Sequence, residues 1–290
     1  MEDVRQINRH GRTDGFVKSE KCGHMQGGKH MKCQEVLDKL EQLSPSSFAM
    51  DWDNSGFLVG DKNAEVTRVL LALDATNEVI EEAVEKKADF LLTHHPMIFT
   101  PVKRVVTDDV VGNKILTLAK HNIGYSCMHT NFDVMGMADA VADELGLKRK
   151  SVLDITYEDD ISKEGIGRIG LLPREVSLKE LAETVKIKFH IPNVMLYGEG
   201  DTIVEKVAIC GGSGSYAIKN AIQAGCQVYI TGDITYHKAL DAMEEGLSII
   251  DAGHFGIEKL FIPYMKDFFA KELKQITVMC SEQRQIGTVI

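Results

Sequence analysis

From residue 31 onward, short apolar runs alternate with longer stretches in which apolar residues recur at helical spacing. Val36, Leu37, Leu40 and Leu43 predict a helix over 35–43, and the unbroken run Val69-Leu70-Leu71-Ala72-Leu73 predicts a buried strand. The same reading places a helix over 77–87, a strand over 90–92, a helix over 111–120, a strand over 124–128 and a helix over 138–145. Strands alternating with helices imply an α/β fold, and in such folds ligands collect at the C-terminal ends of the strands.

The second half repeats the plan. Residues 57–95 lie without gaps on 195–233, a constant offset of 138, so that Leu58, Gly60, Val66, Val69, Ile80, Ala83 and Thr93 meet Leu196, Gly198, Val204, Val207, Ile218, Ala221 and Thr231. Identities this sparse also arise between any two βαβ units, and that alternative stays open. The hydrophobic phasing weighs more: Val69-Leu70-Leu71 faces Val207-Ala208-Ile209, and Phe90-Leu91-Leu92-Thr93 faces Val228-Tyr229-Ile230-Thr231. Each half also opens on an amphipathic helix, over 35–43 and 178–187. We expect a first α/β repeat over 31–155 and a second over 165–290, joined by an acidic junction at 156–164.

Residues 1–30 break the pattern. They hold six Lys/Arg, four Asp/Glu, five Gly and three His without hydrophobic periodicity, and read as a disordered leader or an added extension whose histidines have no assigned role. The chain of 290 residues carries a formal charge of -10, and without this stretch the charge is -12. Phosphate binding draws on clustered Lys and Arg, so a broad nucleic-acid surface is not expected. No apolar run approaches the roughly 18 residues that span a bilayer, and no membrane association is expected. Six cysteines show no Cys-x-x-Cys pair, and Cys127, Cys210 and Cys226 lie in apolar contexts, which suits a reducing cytoplasm.

The polar residues of interest gather at strand ends. Thr93-His94-His95-Pro96 places adjacent imidazoles where an apolar strand stops; both reach one site only if the chain turns there, and Pro96 makes a turn reasonable. After the next strand comes His129-Thr130-Asn131-Phe132-Asp133, and after the strand over 247–250 comes Asp251-Ala252-Gly253-His254-Phe255-Gly256-Ile257-Glu258. In both, a carboxylate follows His by four residues, a spacing that puts the two on one helical face. Asp133 has a second reading, as cap of the following helix. His237 follows a fourth strand end, in Thr231-Gly232-Asp233-Ile234-Thr235-Tyr236-His237, whereas His121 and His190 read as surface helix termini. Several imidazoles with carboxylates and no thiolate suit Zn, Mn, Fe, Co or Ni. More than four such groups exceed the needs of one tetrahedral ion, so two divalent transition-metal ions per subunit are expected, with Glu258 or Asp133 able to bridge.

Other motifs carry less. Gly211-Gly212-Ser213-Gly214-Ser215 follows a strand and precedes a helix, and reads equally as an anion cradle or a tight βα turn. It lacks the P-loop Lys, and Ser213 misses the nucleophile-elbow register by one. The acidic helix over 78–85 is a solvated face.

Taken together, the elements resemble the NGG-interacting-factor-three-like family, whose members are also called GTP cyclohydrolase 1 type 2 homologues. The resemblance covers 31–290 through Trp52-Asp53-Asn54-Ser55-Gly56-Phe57-Leu58-Val59-Gly60, Thr93-His94-His95-Pro96, His129 to Asp133, Gly211 to Ser215, Thr231-Gly232-Asp233 with His237, and Asp251 to Glu258. It implies two intertwined α/β repeats with mixed sheets, a metal site between them, and assembly as a ring-shaped homohexamer. It places metal ligands on His94, His95, Asp133, His254 and Glu258, and puts His129 near the metals. Position 233 is commonly Glu in such proteins, and Asp here has a shorter reach. His129, Asp233 and His237 are the candidate proton carriers of a metal-dependent hydrolase acting on a nucleotide or another phosphate-bearing or cyclic-amide small molecule. The alternative is a non-enzymatic scaffold or metal-handling protein that works through partners.

Overall fold

The computed structural model describes residues 31–287, so the leader reading of residues 1–30 lies outside the described residues. In chain order the strands are β1 Met31–Lys32, β2 Gly56–Val59, β3 Glu65–Val66, β4 Arg68–Ala72, β5 Phe90–Thr93, β6 Gly124–Cys127, β7 Lys148–Glu158, β8 Lys163–Ser177, β9 Met195–Tyr197, β10 Ile203–Ser213, β11 Val228–Gly232, β12 Ser248–Asp251 and β13 Thr277–Cys280. The α-helices are α1 Cys33–Leu43, α2 Asn77–Glu85, α3 Val110–Lys120, α4 Thr130–Phe132, α5 Ala138–Leu145, α6 Leu178–Lys188, α7 Ile218–Gln223, α8 Tyr236–Glu244, α9 His254–Glu258 and α10 Phe261–Glu272, with a π-helical turn at Asp133–Met137 between α4 and α5.

Two mixed sheets confirm the α/β duplication. One has the order β13-β4-β5-β6-β2 and the other β7-β8-β10-β11-β12-β9. In each, three parallel strands (β4, β5, β6 or β10, β11, β12) end on an antiparallel edge strand, β2 or β9. The offset of 138 carries β5 onto β11 and β2 onto β9, as the hydrophobic phasing implies.

Alternation along the strands sorts the core. Val69 and Leu71 of β4 enter a central core with Val207 and Ile209 of β10, while Leu70 and Ala72 face an outer core under α2 and α3, and Ala208 and Cys210 another under α7 and α8. The central core also takes the apolar faces of α1, α5, α6 and α10, so helices fill the space between the sheets. Cys33, Cys127, Cys210 and Cys226 are buried free thiols. Among the described residues no helix is long and apolar enough to cross a membrane.

The repeats are intertwined. After α5 the chain crosses into the second sheet as β7, which pairs with β8; after α10 it crosses back into the first sheet as β13, which pairs with β4. A boundary at 155 therefore falls inside a strand of the second sheet, and the acidic stretch 156–164 is the tip of the β7–β8 hairpin. Its charges hid this, because an exposed hairpin end has the same polar composition as a linker.

One ion pair ties the exchange down. Arg168 on β8, buried, donates from Nε and Nη2 to both oxygens of Asp139 on α5, each at 3.0 Å, and from Nη1 to the carbonyls of Gly165 and Gly167. Burial works against ionisation of Asp139, but the guanidinium outweighs it and holds the carboxyl below its usual range. A depressed carboxyl pKa stabilises the fold above its unfolded value and loses that contribution as pH falls through the folded one. Asp139→Asn is expected to cost about 1–2 kcal/mol at neutral pH, a discount for the half-exposed carboxylate included. Urea melts should show the difference from wild type shrinking as pH drops below about 4; a pH-independent difference would contradict this origin.

Candidate metal centre

The C-terminal ends of β4, β5, β6, β10, β11 and β12 converge where the two sheets meet. Beyond β5 lie His94 and His95, on the π-helical turn after β6 lies Asp133, and on α9 after β12 lie His254 and Glu258. The structure brings all five together. His94 Nε2 lies 3.4 Å from Asp133 Oδ1 and 3.7 Å from Glu258 Oε1; His95 Nε2 and His254 Nε2 each lie 2.9 Å from Glu258 Oε2 and 3.1 Å from one another. The four-residue spacing from His254 to Glu258 therefore works as predicted. That from His129 to Asp133 does not, since Asp133 turns to His94 while His129 pairs elsewhere.

Each imidazole is held by its other nitrogen. His94 Nδ1 is 2.7 Å from the Met128 carbonyl, His95 Nδ1 is 2.7 Å from Asp74 Oδ1, and His254 Nδ1 is 2.8 Å from Asp233 Oδ2. With Nδ1 the donor in each pair, Nε2 is left as an electron-pair donor facing the cluster. Asp233, in the left-handed region at φ 57, is thus an orienting partner of His254. His129 follows the same pattern one step away: its Nδ1 is 2.8 Å from Asp53 Oδ1, and its ring stands 5.4 Å from that of His94 and 5.6 Å from that of His95. His237 stays apart, exposed on the first turn of α8 with its ring against Tyr236. The chain turns at Asp233, so only that residue of the strand end meets the cluster.

Glycines make room for the buried acid. At Gly212, with φ +64, a Cβ would stand 2.4 Å from Glu258 Oε1, and at Gly211 one would stand 3.2 Å from Glu258 Cγ. This close approach accounts for the glycine pair that also reads as an anion cradle.

The charges are mutually dependent. Burial raises a carboxyl pKa, yet the facing imidazoles of His254, His94 and His95 hold Glu258 well below its usual range. Burial lowers an imidazole pKa, yet the charges of Asp133 and Glu258 lift His94 well above its ordinary value. His254 rises to about 9 because Glu258 and Asp233 outweigh its burial, and His95 rises through Asp74 and Glu258. Asp53 is shifted down despite its burial, by hydrogen bonds from His129, Ser55 and Thr130.

These residues fit a transition metal. Ligand atoms of His94, His95 and Glu258 lie within 4.8 Å of one another, and at bond lengths near 2.0–2.2 Å two ligands of one ion stand roughly 3–3.5 Å apart. His94 Nε2 is wholly buried with no hydrogen-bond partner, an orphan that costs about 1–3 kcal/mol unless a cation or proton engages it. A cavity of about 1430 Å³ opens beside the cluster, lined by His95, His129, His254 and Asp233 together with Phe99 and Lys114.

Three contributors escaped the sequence reading: Asp53, Asp74 and Gln283. Asp53 stands within the Trp52 to Gly60 motif, but its partner His129 is 76 residues away, and no local spacing marks the pair.

Comparison with known proteins gives the family and the fold. The chain is 36% identical over 230 residues to a Clostridium perfringens protein named GTP cyclohydrolase 1 type 2 homolog, a match covering 79% of this chain and 87% of the relative. Its fold is similar to a Bacillus cereus protein related to NIF3, with a TM-score of 0.83, 25% identity and coverage of 91% of this chain and all of that one. A hypothetical protein of Staphylococcus aureus gives 0.81 at 31% identity, covering 90% of this chain and all of that one. The family described as Duf34/NIF3 (NGG1p interacting factor 3) matches residues 31–286, and the chain belongs to that family.

Proposed function

We propose that the cluster holds two divalent transition-metal ions and that the protein is a metal-dependent hydrolase acting on a phosphate-bearing or cyclic-amide small molecule. The observation that carries this reading is the buried, partnerless Nε2 of His94 facing two carboxylates beside a large cavity. His94, His95, Asp133, His254 and Glu258 would together hold the ions, with Glu258 in reach of the imidazoles on both sides of the cluster. When bound, two such ions polarise an electrophile and activate water near neutral pH.

The chain's own residues supply the rest. His129, oriented by buried Asp53 through Nδ1, carries a proton at Nε2 between the cluster and the cavity. Asp233 fixes the His254 ring, and the exposed aromatic rings of Trp52 and Phe99 stand 5.9 and 5.6 Å from that of His129, with Phe99 lining the cavity. The cavity favours the enzyme over a non-enzymatic metal-handling scaffold, which needs no room for a small molecule. Ring-opening of GTP is the activity that the relatives' name suggests, and a ring-shaped homohexamer is the assembly that the family resemblance implies.

Metal analysis and turnover test the reading. Metal-replete protein should carry about two transition-metal ions per chain and hydrolyse at least one of a panel of phosphoesters and GTP, and chelation should abolish that turnover. Fewer than one ion per chain after supplementation would refute the dinuclear centre.

A further inference from the structure

The segment 281–287 runs on from β13 across the C-terminal end of β4 and forms one wall of the cavity beside the cluster. Its start is anchored: Ser281 N–H donates to the Leu71 carbonyl at 2.8 Å, and Ser281 Oγ donates to Glu82 Oε2 at 2.5 Å. Two residues on, Gln283 Oε1 accepts from the backbone N–H groups of both Leu73 and Asp74, at 2.8 and 3.0 Å. Two donors facing one atom require an acceptor there, which fixes the amide orientation and turns Nε2 toward Asp74 Oδ2 at 3.4 Å.

The dipeptide that Gln283 grips is the one that holds His95. The Leu73 carbonyl accepts from His95 N–H at 3.0 Å, and Asp74 Oδ1 accepts from His95 Nδ1 at 2.7 Å. His95 is thus fixed by its main chain and its side chain to two neighbouring residues, and one side chain from over 200 positions away clamps both. A carboxylate on the far nitrogen of a metal-facing imidazole sets its orientation and basicity, and the group that holds the carboxylate sets how well it does so.

We infer that Gln283 is a positioning residue of the metal centre, acting through Asp74 on His95, and that segment 281–287 is a working part of the site. The effect on metal affinity rests on the metal-binding reading above; the chain Gln283–Asp74–His95 does not.

The test uses Gln283→Met, which keeps the length and loses every hydrogen bond, and Gln283→Glu, which keeps the acceptor for both N–H groups but sets a second carboxylate against Asp74. Exposed Glu245→Gln, just after α8 and outside the cavity wall, is the control. Co²⁺ titration of the full chain should show affinity falling roughly 10–100-fold in Gln283→Met, with a changed visible spectrum of the bound ion. The downfield His95 Nδ1–H resonance of metal-free protein, assigned by its loss in Asp74→Ala, should disappear or broaden in Gln283→Met and shift in Gln283→Glu. The control should match wild type, and the thermal midpoint of Gln283→Glu should stay near it. Wild-type affinity, spectrum and resonance in both Gln283 variants would overturn the inference. If wild type itself takes up no Co²⁺, the metal reading fails while the resonance still decides whether Gln283 positions His95.

Discussion

Glu258→Gln is expected to leave the cluster unable to retain metal. Glu258 meets His94 through one oxygen and His95 and His254 through the other, so it is the one group shared by both sides of the site. The amide keeps the volume but removes the charge, and it offers one oxygen where two serve. Losing a partner that merely supports a ligand costs roughly 10–100-fold in affinity, and losing the shared ligand should cost more. Without metal the variant also takes from three imidazoles the carboxylate that favours their charged form, leaving them around a neutral group in a buried site. Removing one partner of a buried ion pair typically costs about 3–5 kcal/mol, and the low end applies because the imidazoles can shed protons to the cavity. Metal content after dialysis and thermal melts of chelated protein read both effects. A variant that keeps its full metal complement would show that Glu258 is no ligand.

His129→Gln should give the opposite signature: metal retained and turnover lost. Its ring stands beside those of His94 and His95, yet its nitrogens make no contact with Glu258 or Asp133, and its Nδ1 is committed to Asp53. A positioned proton carrier contributes roughly 10²–10⁴-fold to the rate, so kcat on whichever substrate proves active should fall by that factor with KM little changed. Asp53→Asn should reproduce part of the loss, since an amide can donate as well as accept and no longer fixes which ring nitrogen carries the proton. Unchanged kcat in His129→Gln would remove it from the mechanism and leave Asp233 as the next candidate.

What the sequence made legible, and what it hid, follows from the range of each interaction. Strand ends carrying His94, His95, His129 and His254 stand out because the apolar run before each is local and continuous. The duplication is visible because equivalent strands keep equivalent burial. Hidden were the features defined by distant partners: Asp74 is an ordinary polar residue after a strand until His95 and Gln283 meet it, and β13 has no local sign that its neighbour is β4. The β7–β8 hairpin was hidden by its polar exposed residues, and the π-helical turn at Asp133 by a pattern that fits an α-helix equally well. His237 shows the converse error, a histidine close in sequence to a strand end but carried off by the helix that follows.

The crossing of β7 and β13 between the sheets also sets the order of assembly. β4 cannot acquire its outer neighbour until residues some 200 positions later have been made, and Gln283 arrives later still. Contacts of such long sequence separation form slowly, because the intervening chain must first be brought to order. During synthesis, then, the nascent chain would display His94 and His95 well before the residues that complete and clamp the cluster exist. On the metal-binding reading proposed above, uptake of cations would thereby be deferred to the finished protein, and an interrupted translation product would hold them weakly.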